Sequence, residues 1–430
     1  MNHHASSAWP CVGPEETRAQ LKVLASGNLT YWDGYEGRDF ERDFAQFADC
    51  EYALGIRDFD TALELALTGL GIGDERDARH EVIVSGLASS ALMAGIVRRG
   101  AVPVLADIDR ETRNITAASV AERMTSRTRA VVAVHEAGLP CEMDGLMALA
   151  ERHGLAVIEE CSQAFGAAYK GRSVGSSGHV ACWAFDPDGF MTIGTHDGAM
   201  LTTNDQTLYQ RMFAYKDQDK RWSVVSESAD PEGLRLKPEG PHPDWRLTEV
   251  QAAVGRIQLG RLPEWKVARQ TNAERLWQTA RACPSLRVTA IPAYMAHAAA
   301  MATLFVEPEG LRPGWDRDRI LAEVNARGVA CFSGSGSMVP PDRAFEGSPW
   351  RPGTPLPVAC ELIETSLMFL CHPALTDAEI DRACQVLREV MAESAERRET
   401  HYRLPGQQTG AHAPQTAGRE IPAASDKELE

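Results

Sequence analysis

At four places in the first half of the sequence, polar or reactive side chains come in the stretch that follows a short apolar run. Ser89 follows 81-EVIVSG-86 and His135 follows 129-RAVVAV-134. Glu160, Cys161 and Gln163 close 155-LAVIEEC-161 and open the next loop, and Asp186, Asp188, His196 and Asp197 follow 179-HVACWAF-185. Imidazoles and carboxylates are the groups that move protons near neutral pH, and carboxylates crowded together cannot all ionise cheaply. Cys161 has no histidine fixed beside it by sequence, so it reads as a buried structural thiol rather than a nucleophile, and Cys182 in an apolar run reads the same way. The run 333-SGSGS-337 resembles a phosphate cradle in composition only; with no helix after it, it reads as a loop.

The elements that must carry these residues alternate. Helical spacing over 61–73, 88–100, near 116–127 and over 142–154 separates strand-like runs at 81–86, 101–109, 129–138, 155–161 and 179–185, with a hairpin around 170–175. Short apolar runs between amphipathic helices predict a mostly parallel sheet covered on both faces, whose ligands bind beyond the carboxyl ends of the strands. The residues just after Val84, Val134, Glu159 and Phe185 are therefore where chemistry is expected. A long helical stretch, 246–283, interrupted by one proline, leads to a smaller α+β portion with a strand at 302–308 and a last helix at 376–393. Residues 223–243 read as a long loop and 397–430 as a disordered tail.

Composition narrows the function classes. The chain has 430 residues, 44% hydrophobic and 24% charged, with a net charge of −16 and scattered basic residues. Neither a nucleic acid nor a membrane is an expected partner, because both call for a concentrated basic face or a long apolar run. The start MNHHASSAWPCVG has no basic stretch leading into an apolar one, and the ten cysteines include no CxxC pair. Reduced thiols and a cytoplasmic setting are expected.

In order and spacing, 39-DFERDFAQFADCEYAL-54, 129-RAVVAVHEAGLPCEMD-144, 147-MALAERHGLAVIEECSQAFGAAYKGRSVGSSGHVACWAF-185, 246-RLTEVQAAVGRIQLGRL-262 and 371-CHPALTDAEID-381 resemble the DegT/DnrJ/EryC1/StrS family, the pyridoxal-phosphate (PLP) aminotransferases of sugar biosynthesis. The resemblance covers roughly 15–395. It implies an α/β fold of the type-I PLP-transferase kind, with a large domain over 14–265 and a small C-terminal domain over 266–396. It also implies a homodimer. His135 belongs to the family's V-H-x-x-G segment and reads as inherited.

Against that family, the site residues depart. Register through Met191, Thr192 and Gly194 places Gly189 where the cofactor-binding lysine belongs. The chain's seven lysines, at 22, 170, 216, 220, 237, 266 and 427, all lie elsewhere. The phosphate-binding tetrad reads 57-RDFD-60, with Phe59 for the glycine and Asp60 for the hydroxyl. The asparagine that reaches the phosphate from a neighbouring subunit becomes Asp244. The stacking aromatic becomes Ser89, and the aspartate at the pyridine nitrogen becomes Glu160; Gln163 is retained. Two carboxylates, of which Arg57 offsets one at most, are expected to repel a phosphate. No cofactor is expected.

The vacated site maps as polar, surrounded by Asp58, Asp60, Glu160, Gln163, Asp186, Asp188, His196, Asp197 and Asp244. One reading is plain loop acids facing water. Another is a new small-molecule site, with His196 as general base, Glu160 as an acid or base of raised pKa, and Asp186 beside them. Oxygen ligands at Asp58, Asp60 and Asp244 suit Mg²⁺ or Ca²⁺, yet their spacing fits no metal-binding loop, and no metal is expected. The expected function is a repurposed, PLP-independent enzyme of natural-product or modified-sugar biosynthesis acting on an unidentified small molecule. The alternatives are a catalytically silent subunit paired with an active, paralogous one, and an atypical aminotransferase using PLP or its amine form.

Overall fold

In a computed structural model of the chain, residues 9, 12–73, 80–185, 197–217, 243–334 and 355–395 are described. The loop 186–196, most of the loop at 223–243, most of 333–337 and the tail at 397–430 fall outside them. Contacts gather Met1–Ala395 into one compact unit.

Seven strands form the principal sheet: β1 (Tyr52–Ile56), β2 (Glu81–Ser85), β3 (Val102–Ala106), β4 (Thr128–Val134), β5 (Ala156–Glu160), β8 (Val180–Ala184) and β9 (Ala199–Thr203), in the order β1-β9-β8-β5-β4-β2-β3. The pairs β3–β2, β2–β4, β4–β5 and β5–β8 are parallel, while β9 runs antiparallel to both β8 and β1. The sheet is therefore mostly parallel, an α/β fold of the type-I PLP-transferase kind. Strands β2, β8 and β9 are buried at every position, as expected for a sheet covered on both faces. The hairpin at 170–175 is present as β6 (Ala168–Tyr169) and β7 (Arg172–Ser173), joined by β11 (Met295–Ala296).

Helices α1 (Pro14–Ser26), α2 (Glu36–Ala48), α3 (Phe59–Gly69), α4 (Ser90–Arg98), α5 (Ala117–Ala121), α6 (Met143–His153) and α7 (Gln206–Lys216) surround this sheet. Helix α5 is much shorter than the stretch expected near 116–127. Instead of continuing the helix, the Thr125 N–H donates to Thr128 Oγ1 and the Thr125 hydroxyl donates to Glu81, a competition typical of hydroxyl side chains.

Helix α8 (Glu249–Arg281) corrects the expected interruption: Pro263 lies inside one continuous helix of 33 residues. Before Pro263, Arg256 pairs with Glu36, Asp39 and Asp43, and Arg261 with Glu15 and Glu16. After it, Arg269 donates to the Ala300 carbonyl and Arg275 pairs with Asp377 and Asp381. The second sheet, β10-β12-β14-β13, comprises β10 (Leu286–Arg287), β12 (Ala302–Val306), β13 (Cys331–Ser333) and β14 (Ser366–Phe369). With α9 (Arg317–Ala326), α10 (Pro357–Thr365) and α11 (Asp377–Ser394) it encloses its own cluster around Leu304, Leu367 and Leu387. No helix among the described residues is long and apolar enough to cross a membrane.

Candidate active site

A cavity of about 650 Å³ lies beyond the carboxyl ends of β2, β4, β5 and β8, where the sheet topology calls for it. Seven of the residues singled out by sequence line it: Asp58, Phe59, Asp60, Ser89, Glu160, Gln163 and Asp197. Asp244 does not; it forms an ion pair with Arg246 and bridges by backbone to Asp217, while its neighbour Trp245 faces the cavity. Asp58, Asp60 and Asp244 are thus not gathered into a metal site. Asp186, Asp188, Gly189 and His196 lie outside the described residues.

The electrostatics at the mouth differ from expectation. Asp58 is the N-cap of α3: one oxygen accepts from the Thr61 N–H at 2.7 Å and the other from Arg57 Nε at 2.8 Å. Burial alone would raise its pKa, but the bonds from Thr61 and Arg57 outweigh that and hold the carboxyl below its usual range. Asp60 pairs with Arg98 at 3.1 Å. Arg57 is taken by Asp58, while Asp60 has Arg98 and Asp244 has Arg246, so both carboxylates expected to oppose a phosphate carry a cation, not one at most. Arg98 escaped the sequence reading because it sits in the last turn of α4, 38 positions away along the chain. Phe59 lines the cavity and also packs on the core below it.

The floor is set by β5 and the turn after β4. Glu160 is 7% exposed; burial pushes its carboxyl above the ordinary value, although Oε1 accepts from the Ser162 N–H at 2.9 Å. Gln163 Oε1 accepts from the Ala137 N–H at 2.9 Å, which fixes the amide's orientation. Ser89 caps α4 through the Leu92 N–H. Glu136, also buried, was missed by sequence although it follows His135 directly.

His135 itself points into the core. Its Nδ1 accepts from the Cys141 N–H at 3.0 Å, so Nε2 carries the proton and donates to Glu159 at 2.9 Å. Glu159 accepts three further bonds, from the N–H groups of Gly175, Ser177 and Gly178. These bonds and His135 overcome the burial penalty and keep its pKa low. His135, Glu159 and Cys161 form the only cluster of three potential metal ligands among the described residues. With Glu159 saturated by donors and the Cys161 thiol pushed well up by burial, the cluster is a structural staple for the hairpin loop.

These residues do not suit the cofactor that the family resemblance implies. None of the described lysines lines the cavity: Lys22 is exposed on α1, Lys170 pairs with Asp144, Lys216 is turned into the core toward Glu41 and Gly55, and the Lys266 stem lies against Gly166. Ser89 offers no ring to stack on, and the first turn of α3 presents carboxylates where a phosphate would enter. The site does offer a buried carboxyl that holds its proton to higher pH than usual, flanked by an oriented amide and by two arginines at the mouth. This is the equipment of proton transfer on a polar small molecule.

Comparisons with known proteins agree with the fold. The sequence pattern of the DegT/DnrJ/EryC1/StrS aminotransferase family matches residues 10–388. An aminotransferase from Psychrobacter cryohalolentis superposes with a TM-score of 0.85 at 43% identity, covering 90% of this chain and 99% of that one. DesV of S. venezuelae, solved in complex with a ketimine intermediate, gives 0.76 at 29% identity over 88% and 94%. The spore coat polysaccharide biosynthesis protein SpsC of Bacillus subtilis is 35% identical over 282 residues, 65% of this chain and 69% of SpsC.

Proposed function

We propose, because the chain belongs to the DegT/DnrJ/EryC1/StrS aminotransferase family yet carries no lysine within 186–196, that it does not transaminate through lysine-bound PLP. Instead it acts on a small molecule of modified-sugar or natural-product biosynthesis by proton transfer in the inherited cleft. The observation that carries this reading is the placement of the lysines: none falls within 186–196, and none of those described lines the cavity. An amine is needed both to anchor the aldehyde and to move the proton, and neither task has a candidate. Glu160 is the proposed acid or base of the floor, with Gln163 orienting the substrate. Asp186 and His196, which lie between β8 and β9 in sequence, are proposed to complete the proton relay. The working form in this reading is a cytoplasmic homodimer.

A second reading, an atypical enzyme using the amine form of the cofactor noncovalently, has one observation in its favour. Arg57 and Arg98 neutralise Asp58 and Asp60, which weakens the electrostatic objection to a phosphate there. Titration separates the two. Adding PLP to purified protein is expected to give no stoichiometric absorption band and no rise in Tm, and the amine form is expected to give no rise either. Saturable binding of either at micromolar concentration overturns the first reading and returns the second.

A further inference from the structure

Beside the main cavity lies a smaller one lined by Leu87, Arg113, Glu136, Phe305, Leu362 and Ser366. Leu87 and Glu136 line both, so the small cavity is a side chamber of the large one. Its free volume of about 10 Å³ accommodates roughly one oxygen-sized atom.

Arg113 is the unusual member. It is 4% exposed, its Nε is buried without a hydrogen-bond partner, and among the described residues its guanidinium makes neither a hydrogen bond nor an ion pair. It lies 5.7 Å from the centroid of the Phe305 ring, on which Arg287 also stacks, at 4.4 Å. Arg287 has Glu111 and Glu307 as partners; Arg113 has only the longer-range attraction of Glu136.

The position is built rather than incidental. Arg113 sits in the left-handed region at φ 64°, its N–H held by the Asp109 carbonyl at 2.8 Å. Next to it, Asn114 accepts from the Glu136 N–H and donates to the carbonyls of Leu139 and Pro140. The loop after β3 is thus tied to the turn after β4, which places Arg113 and Glu136 on the same chamber. Five N–H donors in a buried chamber, with Glu136 near but not hydrogen-bonded to them, carry a desolvation cost that an acceptor must offset.

We propose that Arg113 binds the carboxylate of the ligand that occupies the main cavity, so that the ligand is an acidic small molecule. The chamber has room for one carboxylate oxygen, which the guanidinium receives while the rest of the ligand stays in the main cavity. This rests on the reading of the main cavity as a small-molecule site, but not on the absence of PLP.

The test uses full-length protein with D-glucuronate, D-glucose and inorganic phosphate as probes, followed by saturation-transfer NMR and Tm. Wild-type protein is expected to bind glucuronate and not glucose. Arg113→Met is expected to weaken glucuronate binding at least tenfold while raising the Tm of the ligand-free protein, because an unsatisfied buried cation has been removed. Arg113→Lys, which keeps the charge and loses the fork, is expected to fold and to bind glucuronate more weakly than wild type. The PLP titration is expected to read the same in all three proteins, so its outcome and this one fail independently. The proposal is overturned by glucuronate binding that is absent or unchanged in the variants, by Arg113-dependent binding of phosphate without glucuronate, or by a lower Tm in Arg113→Met.

Discussion

At the scale of single residues, the strongest polar investment in the large sheet is Glu159, not a group facing the cavity. Replacing it by alanine leaves three backbone N–H groups and the His135 Nε2–H without an acceptor in the core. Glu159→Ala is expected to cost about 3–5 kcal/mol in urea unfolding. Two buried histidines set the response to acid. Burial, then the nearby Arg113 charge, pulls His297 down to about 3; burial, then Arg269, pulls His372 down to about 4. Below pH 6.5 the unfolded chain takes up these protons and the folded one does not, so stability falls as pH drops toward each folded value. The slope is about 1.4 kcal/mol per pH unit for each histidine. His297→Asn keeps an acceptor for the Ala299 N–H and is expected to remove about half of that histidine slope between pH 6 and 5. An unchanged slope in paired denaturant titrations would count against it.

Residue chemistry was legible where it depends on chain order. Strand ends announce Glu160 and Gln163, and the residues 57-RDFD-60 precede an obvious helix. Partnership across the fold was not legible. Arg98 reaches Asp60 because α3 and α4 lie side by side, and Arg113 reads as an ordinary loop arginine until the second sheet closes over it. Glu159 and Glu160 are adjacent in sequence yet face opposite sides of β5, so one is a saturated structural anion and the other a protonatable cavity group.

At the scale of elements, the alternation of apolar runs and amphipathic helices was enough to place β2, β3, β4, β5 and β8. Strands β1 and β9 were not picked out; they pair antiparallel with each other across a long stretch of chain, which the alternation of adjacent elements does not announce. The proline in α8 misled in the other direction: packing on both flanks holds the helix together despite a lost hydrogen bond. Close approach is part of that packing. A Cβ added at Gly255 meets the Phe40 ring of α2 at 2.5 Å. Gly255→Ala is therefore expected to destabilise the protein by about 1–3 kcal/mol, although alanine is the better helix former. Thermal melts that show stabilisation would mean α2 can shift without cost.

At the scale of the whole molecule, helix α1 carries Leu21 and Leu24 on its outer side, 59% and 54% exposed, with Leu29 and Tyr35 exposed beyond it. Apolar side chains three positions apart share one helix face, and such a face in water marks a surface awaiting cover. Light scattering is expected to report a dimer at micromolar concentration, and the double change Leu21→Glu with Leu24→Glu is expected to yield monomers with an unaltered circular dichroism spectrum. A wild-type monomer across that range removes the dimer from the proposed function.

Helix α8, at about 1.5 Å per residue, is a strut about 50 Å long. Ion pairs bolt its first half to α1 and α2, and its second half is bolted to α11 and the second sheet. Leu87 and Glu136 of the large sheet and Phe305 of the second sheet share the Arg113 chamber, so widening that chamber means turning one sheet against the other, and the strut resists the turn. The weakest point along it is the turn preceding Pro263, where the ladder already lacks a rung. Bending at that turn is therefore the least costly way for the two sheets that wall the chamber to move against each other.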